Sequence, residues 1–127
     1  MSNVVVRPTE GTLAAMRLYF PASSLAGAKT LWHRVIPRRL SGYLLQAAHE
    51  EGIQQAIHHH VVAGYLRDDP LSHGYGENSP MKHPHCIELI DTEQRLRAFA
   101  ARHADEFCKA RVLVIHGAEE LGPAGRP

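Results

Sequence analysis

Histidine is the residue type best able to do chemistry in this chain. Ten histidines occur in 127 residues. Three are consecutive, His58-His59-His60, and His83 and His85 stand two apart. In an extended strand, side chains two positions apart point the same way. His58 and His60 therefore share one face, and His59 takes the other. Paired imidazoles suit Zn, Cu or Ni, but two donors leave a site incomplete. His83, His85, His73 from the intervening loop, or copies of one histidine around a threefold axis are the further donors available. Two other readings stand beside metal binding. The imidazoles could pack neutral and hydrogen-bonded across a buried interface. They could also titrate, since the free side chain has a pKa of about 6.5. They run from His33 to His116, so a purification tag does not explain them.

Other chemistry is thin, and no enzyme is expected. There is no nucleophile elbow, no phosphate-binding loop and no HExxH zinc helix. Cys86 adjoins His85, but neighbouring strand residues face opposite sides, so the two point apart. Two cysteines make no disulfide framework, and Cys86 and Cys108 read as reduced, buried thiols. Glu50-Glu51 and Glu119-Glu120 read as solvated carboxylates without partners, and Trp32 as a packing anchor. Arg34, Arg38 and Arg39 form a local basic cluster. Arg38, Arg39, Lys109 and Arg111 are candidate phosphate contacts, or else solvated surface charges. A net charge of +1 implies no nucleic-acid partner. No apolar run is long enough for membrane insertion. Met1–Glu10 lacks a secretory pattern, so a cytoplasmic location is expected.

The elements that position these residues follow from periodicity. The length suits one domain. Thr12–Phe20 alternates as a strand, with Met16, Leu18 and Phe20 on one face. Leu40–Glu51 reads as a helix with Leu40, Tyr43, Leu44, Ala47 and Ala48 on one stripe, stopped by Gly52. Ile53–Tyr65 reads as the second strand, apolar enough on both faces to be buried on both sides, either within the fold or across a subunit contact. His85–Ile90 is the third strand. Asp91 or Thr92 caps a helix over Thr92–Phe107, with Leu96, Phe99, Ala100, His103 and Phe107 inward. Arg111–His116 is the last strand. A short helix over 26–35 and a loose Val4–Val6 segment are weaker features. The order gives an α+β, ferredoxin-like βαββαβ domain over residues 11–118: a four-stranded antiparallel sheet with two helices on one face. Residues 21–37 are an insertion after the first strand, 66–84 a long exposed loop, and 1–10 and 119–127 flexible tails. The uncovered sheet face calls for oligomerisation.

Gly52–Tyr65, ending in Gly64-Tyr65, followed by Ile87-Glu88-Leu89-Ile90-Asp91, Glu93 and Phe99, resembles the PII-like signal-transduction proteins. The resemblance is to their uncharacterised domain-of-unknown-function branch and spans roughly Arg17–His116, leaving out Pro21–Pro37. It implies a homotrimer with the sheets facing inward. It also implies a small ligand, often an adenine nucleotide, in clefts between subunits. The loop over 66–82 would dock onto a target protein, a membrane transporter or an enzyme. Carried over by position, Gly64, Tyr65, Glu88 and Ile90 would edge the cleft. Phe107-Cys108-Lys109-Ala110-Arg111 departs from the glycine- and lysine-rich connection of the nucleotide binders, which can cradle phosphate. The alternative is a metal-binding trimer resembling the copper-tolerance proteins, using His58, His60, His83 and His85.

Overall fold

Alternation of apolar and polar residues makes Leu13–Pro21 the strand β1, and its two neighbours give the sheet its faces. A computed structural model of the chain describes residues 12–27, 38–73 and 80–122. The expected Val4–Val6 segment, Trp32, most of the helix over 26–35, the middle of the 66–84 loop and the end of the C-terminal tail lie outside them. The chain runs through helix α1 (Leu40–Glu50), strand β2 (Gln55–His59), a 3-10 turn (Pro80–Lys82) and strand β3 (Pro84–Thr92). Helices α2 (Glu93–Arg102) and α3 (Ala104–Phe107) and strand β4 (Arg111–Ile115) follow. The sheet order is β2-β3-β1-β4, and every neighbouring pair is antiparallel. This is the ferredoxin-like arrangement of an α+β chain. No helix among the described residues is long and apolar enough to cross a membrane.

Register sorts the side chains. Met16 lies opposite Leu89 and Val114, and Leu18 opposite Ile87 and Val112. These residues face the helices and join Leu40, Tyr43, Leu44, Ala47, Ala48, Leu96, Phe99 and Phe107 in one core. The other face carries Ala15, Arg17, Tyr19, Cys86, Glu88, Ile90, Ile57, Leu113 and Ile115, alternating as the pleat requires.

Both main helices end as their residues dictate. Gly52 takes φ +78°, a conformation costly for residues with a Cβ. Its N–H donates to His49 O, and the Ile53 N–H donates to Ala48 O. This pair of bonds is the Schellman ending. Thr92 caps α2, its Oγ1 accepting from the Arg95 N–H at 3.2 Å. Asp91, fully buried, ties three elements together. It accepts from the Gln54 N–H at 2.9 Å and the Thr92 N–H at 2.6 Å, and pairs with Arg95 at 3.1 Å.

Four expectations are corrected. The second strand covers Gln55–His59 rather than 53–65, and within one chain it is an exposed sheet edge, so its two-sided burial does not arise inside the fold. The chain leaves it early because Gly64 pairs with Ser72 instead of continuing along β3. The single helix over 92–107 is two, so three helices accompany the sheet. His103 breaks them at φ −117°, ψ 36° while its ring is held by Tyr43 of α1 and by Glu51 at that helix's end. Cys108 is exposed, unlike Cys86. Glu51 is not a free carboxylate. It accepts from Arg102 Nε at 2.7 Å and from the His103 Nε2–H. The stem of the 21–37 insertion is closed by pairing of Leu25 with Arg39.

Truncation at two positions tests this account. Phe99→Ala removes a fully buried ring and lowers unfolding free energy by about 3–5 kcal/mol. Asp91→Ala strands the Gln54 and Thr92 N–H groups and costs about 1–3 kcal/mol. Urea titration of both variants measures the losses; changes of a few tenths would contradict the assignments.

Candidate functional site

The open sheet face ends in a hollow of about 500 Å³, lined by Tyr19 and Pro21, by Tyr65, Leu66, Arg67 and Asp69, and by Arg111 and Leu113. Three elements meet there. Tyr19 of β1 lies directly opposite Arg111 of β4. The third wall is the stretch after β2, and local bonding holds it in place. Gly64 and Ser72 exchange backbone hydrogen bonds, each 2.9 Å. The Asp69 N–H donates to Leu66 O, and Asp68 takes φ +68°. A positive φ at the third residue of a four-residue turn marks type II, and Asp tolerates it better than most residues.

His83 fastens the base of this loop. Its Nε2–H donates to Val61 O at 2.6 Å. Its Nδ1 then accepts from the buried Ser72 hydroxyl at 2.7 Å.

The hollow combines two phenols, two guanidiniums, one carboxylate and an apolar floor. Such a lining suits a small planar ligand carrying an anionic group. Tyr rings offer stacking area, and guanidinium groups make the stronger, charge-assisted hydrogen bonds to phosphate or carboxylate. Tyr65 is 66% exposed, so it is available for such a contact.

Next to the hollow the face is charged. Arg17 Nε donates to Glu88 Oε2 at 2.8 Å, and His59 Nε2 lies 3.6 Å from Glu88 Oε1. The hydrogen bond from Arg17 holds the Glu88 carboxyl below its ordinary range, and the same pairing raises the Arg17 pKa. Burial pushes the Cys86 thiol up, which makes it a poor nucleophile.

The expected site residues separate into groups. Tyr65 and Arg111 line the hollow. Glu88 and Ile90 lie farther along the same face, opposite Arg17 and Ala15, and Gly64 braces the loop base. Arg38, Arg39 and Lys109 lie elsewhere. Arg38 donates to Gln46 Oε1 at 3.3 Å and stacks over Tyr43, Arg39 Nη1 donates to Ala22 O, and Lys109 Nζ donates to Leu25 O. Of the histidines, the His58 and His85 rings meet at 4.7 Å between centroids. His60 is exposed just beyond the end of β2, and His83 serves the loop. Among the described residues, no group of three or more His, Cys, Asp and Glu is placed to hold a metal ion.

Tyr19, Arg67 and Asp69 were not among the expected site residues. Tyr19 reads only as the polar phase of β1, and Arg67 and Asp69 as ordinary loop charges. A second missed cluster joins the helices. The Tyr43 O–H donates to His103 Nδ1 at 2.8 Å, and the His103 Nε2–H donates to Glu51. Burial raises the Glu51 pKa, but the hydrogen bonds from His103 and Arg102 outweigh it and hold the carboxyl below its ordinary range. These contacts clasp α1 to the α2–α3 break.

No family model matches the chain, and no curated protein is significantly similar to it in sequence.

The Glu88 pairing sets a pH dependence. A carboxyl held below its unfolded pKa adds stability above that value and loses it as pH falls through the folded one. Wild-type stability therefore falls more steeply than that of Glu88→Gln between about pH 5 and pH 3. Urea midpoints across that range measure the difference, and parallel curves would show that the pair contributes nothing.

Proposed function

We propose that this chain is a PII-like regulatory binding module: a homotrimer whose small anionic ligand, an adenine nucleotide in the first instance, regulates contact with a partner protein. The observation that carries the reading is the hollow at the base of the 66–82 loop. One wall is the sheet, through Tyr19 and Arg111; the other is the loop's own beginning, Tyr65 to Asp69. A ligand filling it touches both. It then favours whichever loop arrangement gives it the better contacts, and only that difference in affinity can shift the loop. The partner, a membrane transporter or an enzyme, reads the loop. No catalytic step is part of this role.

The trimer is supported by the open face. Ile57, Leu113 and Ile115 are each at least 40% exposed there, on the two edge strands β2 and β4. Bringing copies together over this face removes apolar area from water and would set one copy's hollow against its neighbour. The residue-level resemblance through Gly64-Tyr65 and Ile87–Asp91 points to the same assembly.

Calorimetry with AMP, ADP, ATP and a cyclic nucleotide tests the ligand. Binding by at least one, weakened roughly tenfold or more in Arg67→Ala and in Arg111→Ala, is the expected result. Silence with all four would remove the nucleotide. Light scattering tests the assembly: the expected mass is three times the 14.1 kDa chain, and a lone chain at high concentration would remove the trimer.

A further inference from the structure

The histidine pair on the helix-facing side of the sheet lies away from the hollow and has no part in the ligand reading. His58 belongs to β2 and lies opposite Ile87; His85 belongs to β3 and lies opposite Phe20. They are diagonal neighbours on one face of adjacent strands, a placement within reach of long side chains. Their rings stand 4.7 Å apart and tilted by 57°. His85 Nδ1 is buried and has no hydrogen-bond partner. His83, by contrast, has both ring nitrogens engaged. Cys86 points to the opposite face, so no thiolate joins the pair. The Arg39 guanidinium acts on His85 through its charge, but it is engaged in donating to Ala22 O.

We propose that His58 and His85 form a two-imidazole site for a borderline divalent transition metal, Cu(II) foremost. Imidazole donors without carboxylates disfavour Mg and Ca. Among first-row divalent ions, Cu(II) binds nitrogen sites most strongly. Small rotations of the two rings direct one nitrogen of each at a shared ion. Water fills the remaining positions, on the exposed side where His58 lies. Extending the β2–β3 register by one row would set His60 opposite His85, but β2 ends at His59, so the site is assigned two protein donors.

Cu(II) titration of the full chain carrying Cys108→Ser tests the site; that change removes an exposed thiol which would bind or reduce the metal. The expected result is one tight equivalent with two-nitrogen hyperfine structure in the electron paramagnetic resonance spectrum. Affinity falls at least tenfold in His58→Gln and in His85→Gln, and is unchanged in His73→Gln. His58 is exposed on an edge strand, so His58→Gln folds even if His85→Gln does not. Full-strength binding by His58→Gln, or no saturable binding by the parent chain, would overturn the proposal. Neither result bears on the nucleotide experiment, because the two sites share no residue.

Discussion

The pairing of β1 with β3 is the constraint on which the rest depends. Nine registered pairs, from Leu13 opposite Thr92 to Pro21 opposite Pro84, join the two central strands. A slip of one residue would turn Met16, Leu18 and Phe20 out of the core and send Arg17 and Tyr19 into it. The same register distributes the chemistry. It places His85 beside Phe20 on the helix side, and sets Cys86 and Glu88 on the open side against Tyr19 and Arg17. The strand ends are fixed as well: prolines occupy both members of the last pair, where a missing N–H costs least.

The open face mixes charge with apolar side chains. Arg17 and Glu88 neutralise each other in the middle of the sheet, while Ile57, Leu113 and Ile115 lie toward its edges. An ion pair here is worth little while wet. Beneath a neighbouring copy it would be desolvated and would favour one docking register over others. The hollow arises where this face meets the chain leaving β2, and its polar groups come from both. The helix side is different in kind: its polar contacts, at Asp91 and along Tyr43–His103–Glu51, join elements to one another.

Much of the fold was legible because periodicity follows local geometry. The stripe Leu40, Tyr43, Leu44, Ala47 and Ala48 is the buried set of α1, and Gly52 and Thr92 mark the helix ends. The length of β2 was not legible. Val61, Val62 and Ala63 extend its apolar run, but Gly64 pairs with Ser72, a contact that local periodicity cannot show. The break at His103 was hidden for a similar reason, since its ring partners Tyr43 and Glu51 lie over fifty residues away. Of the candidate site, Tyr65 and Arg111 were visible as residue types beside element ends. Tyr19, Arg67 and Asp69 join them only once β1, β4 and the loop are folded together. The histidine spacing correctly placed His58 in a strand. It could not tell that His85 would come to meet it while His83 fastened a loop.

The outer edge of β2 bears on how the protein behaves when concentrated. Five residues present a template only about 17 Å long, and three of them are Gln55, His58 and His59. A short, polar border of this kind is a poor seed for endless strand-to-strand stacking. At this border, growth along the hydrogen-bonding direction stops where the ladder does.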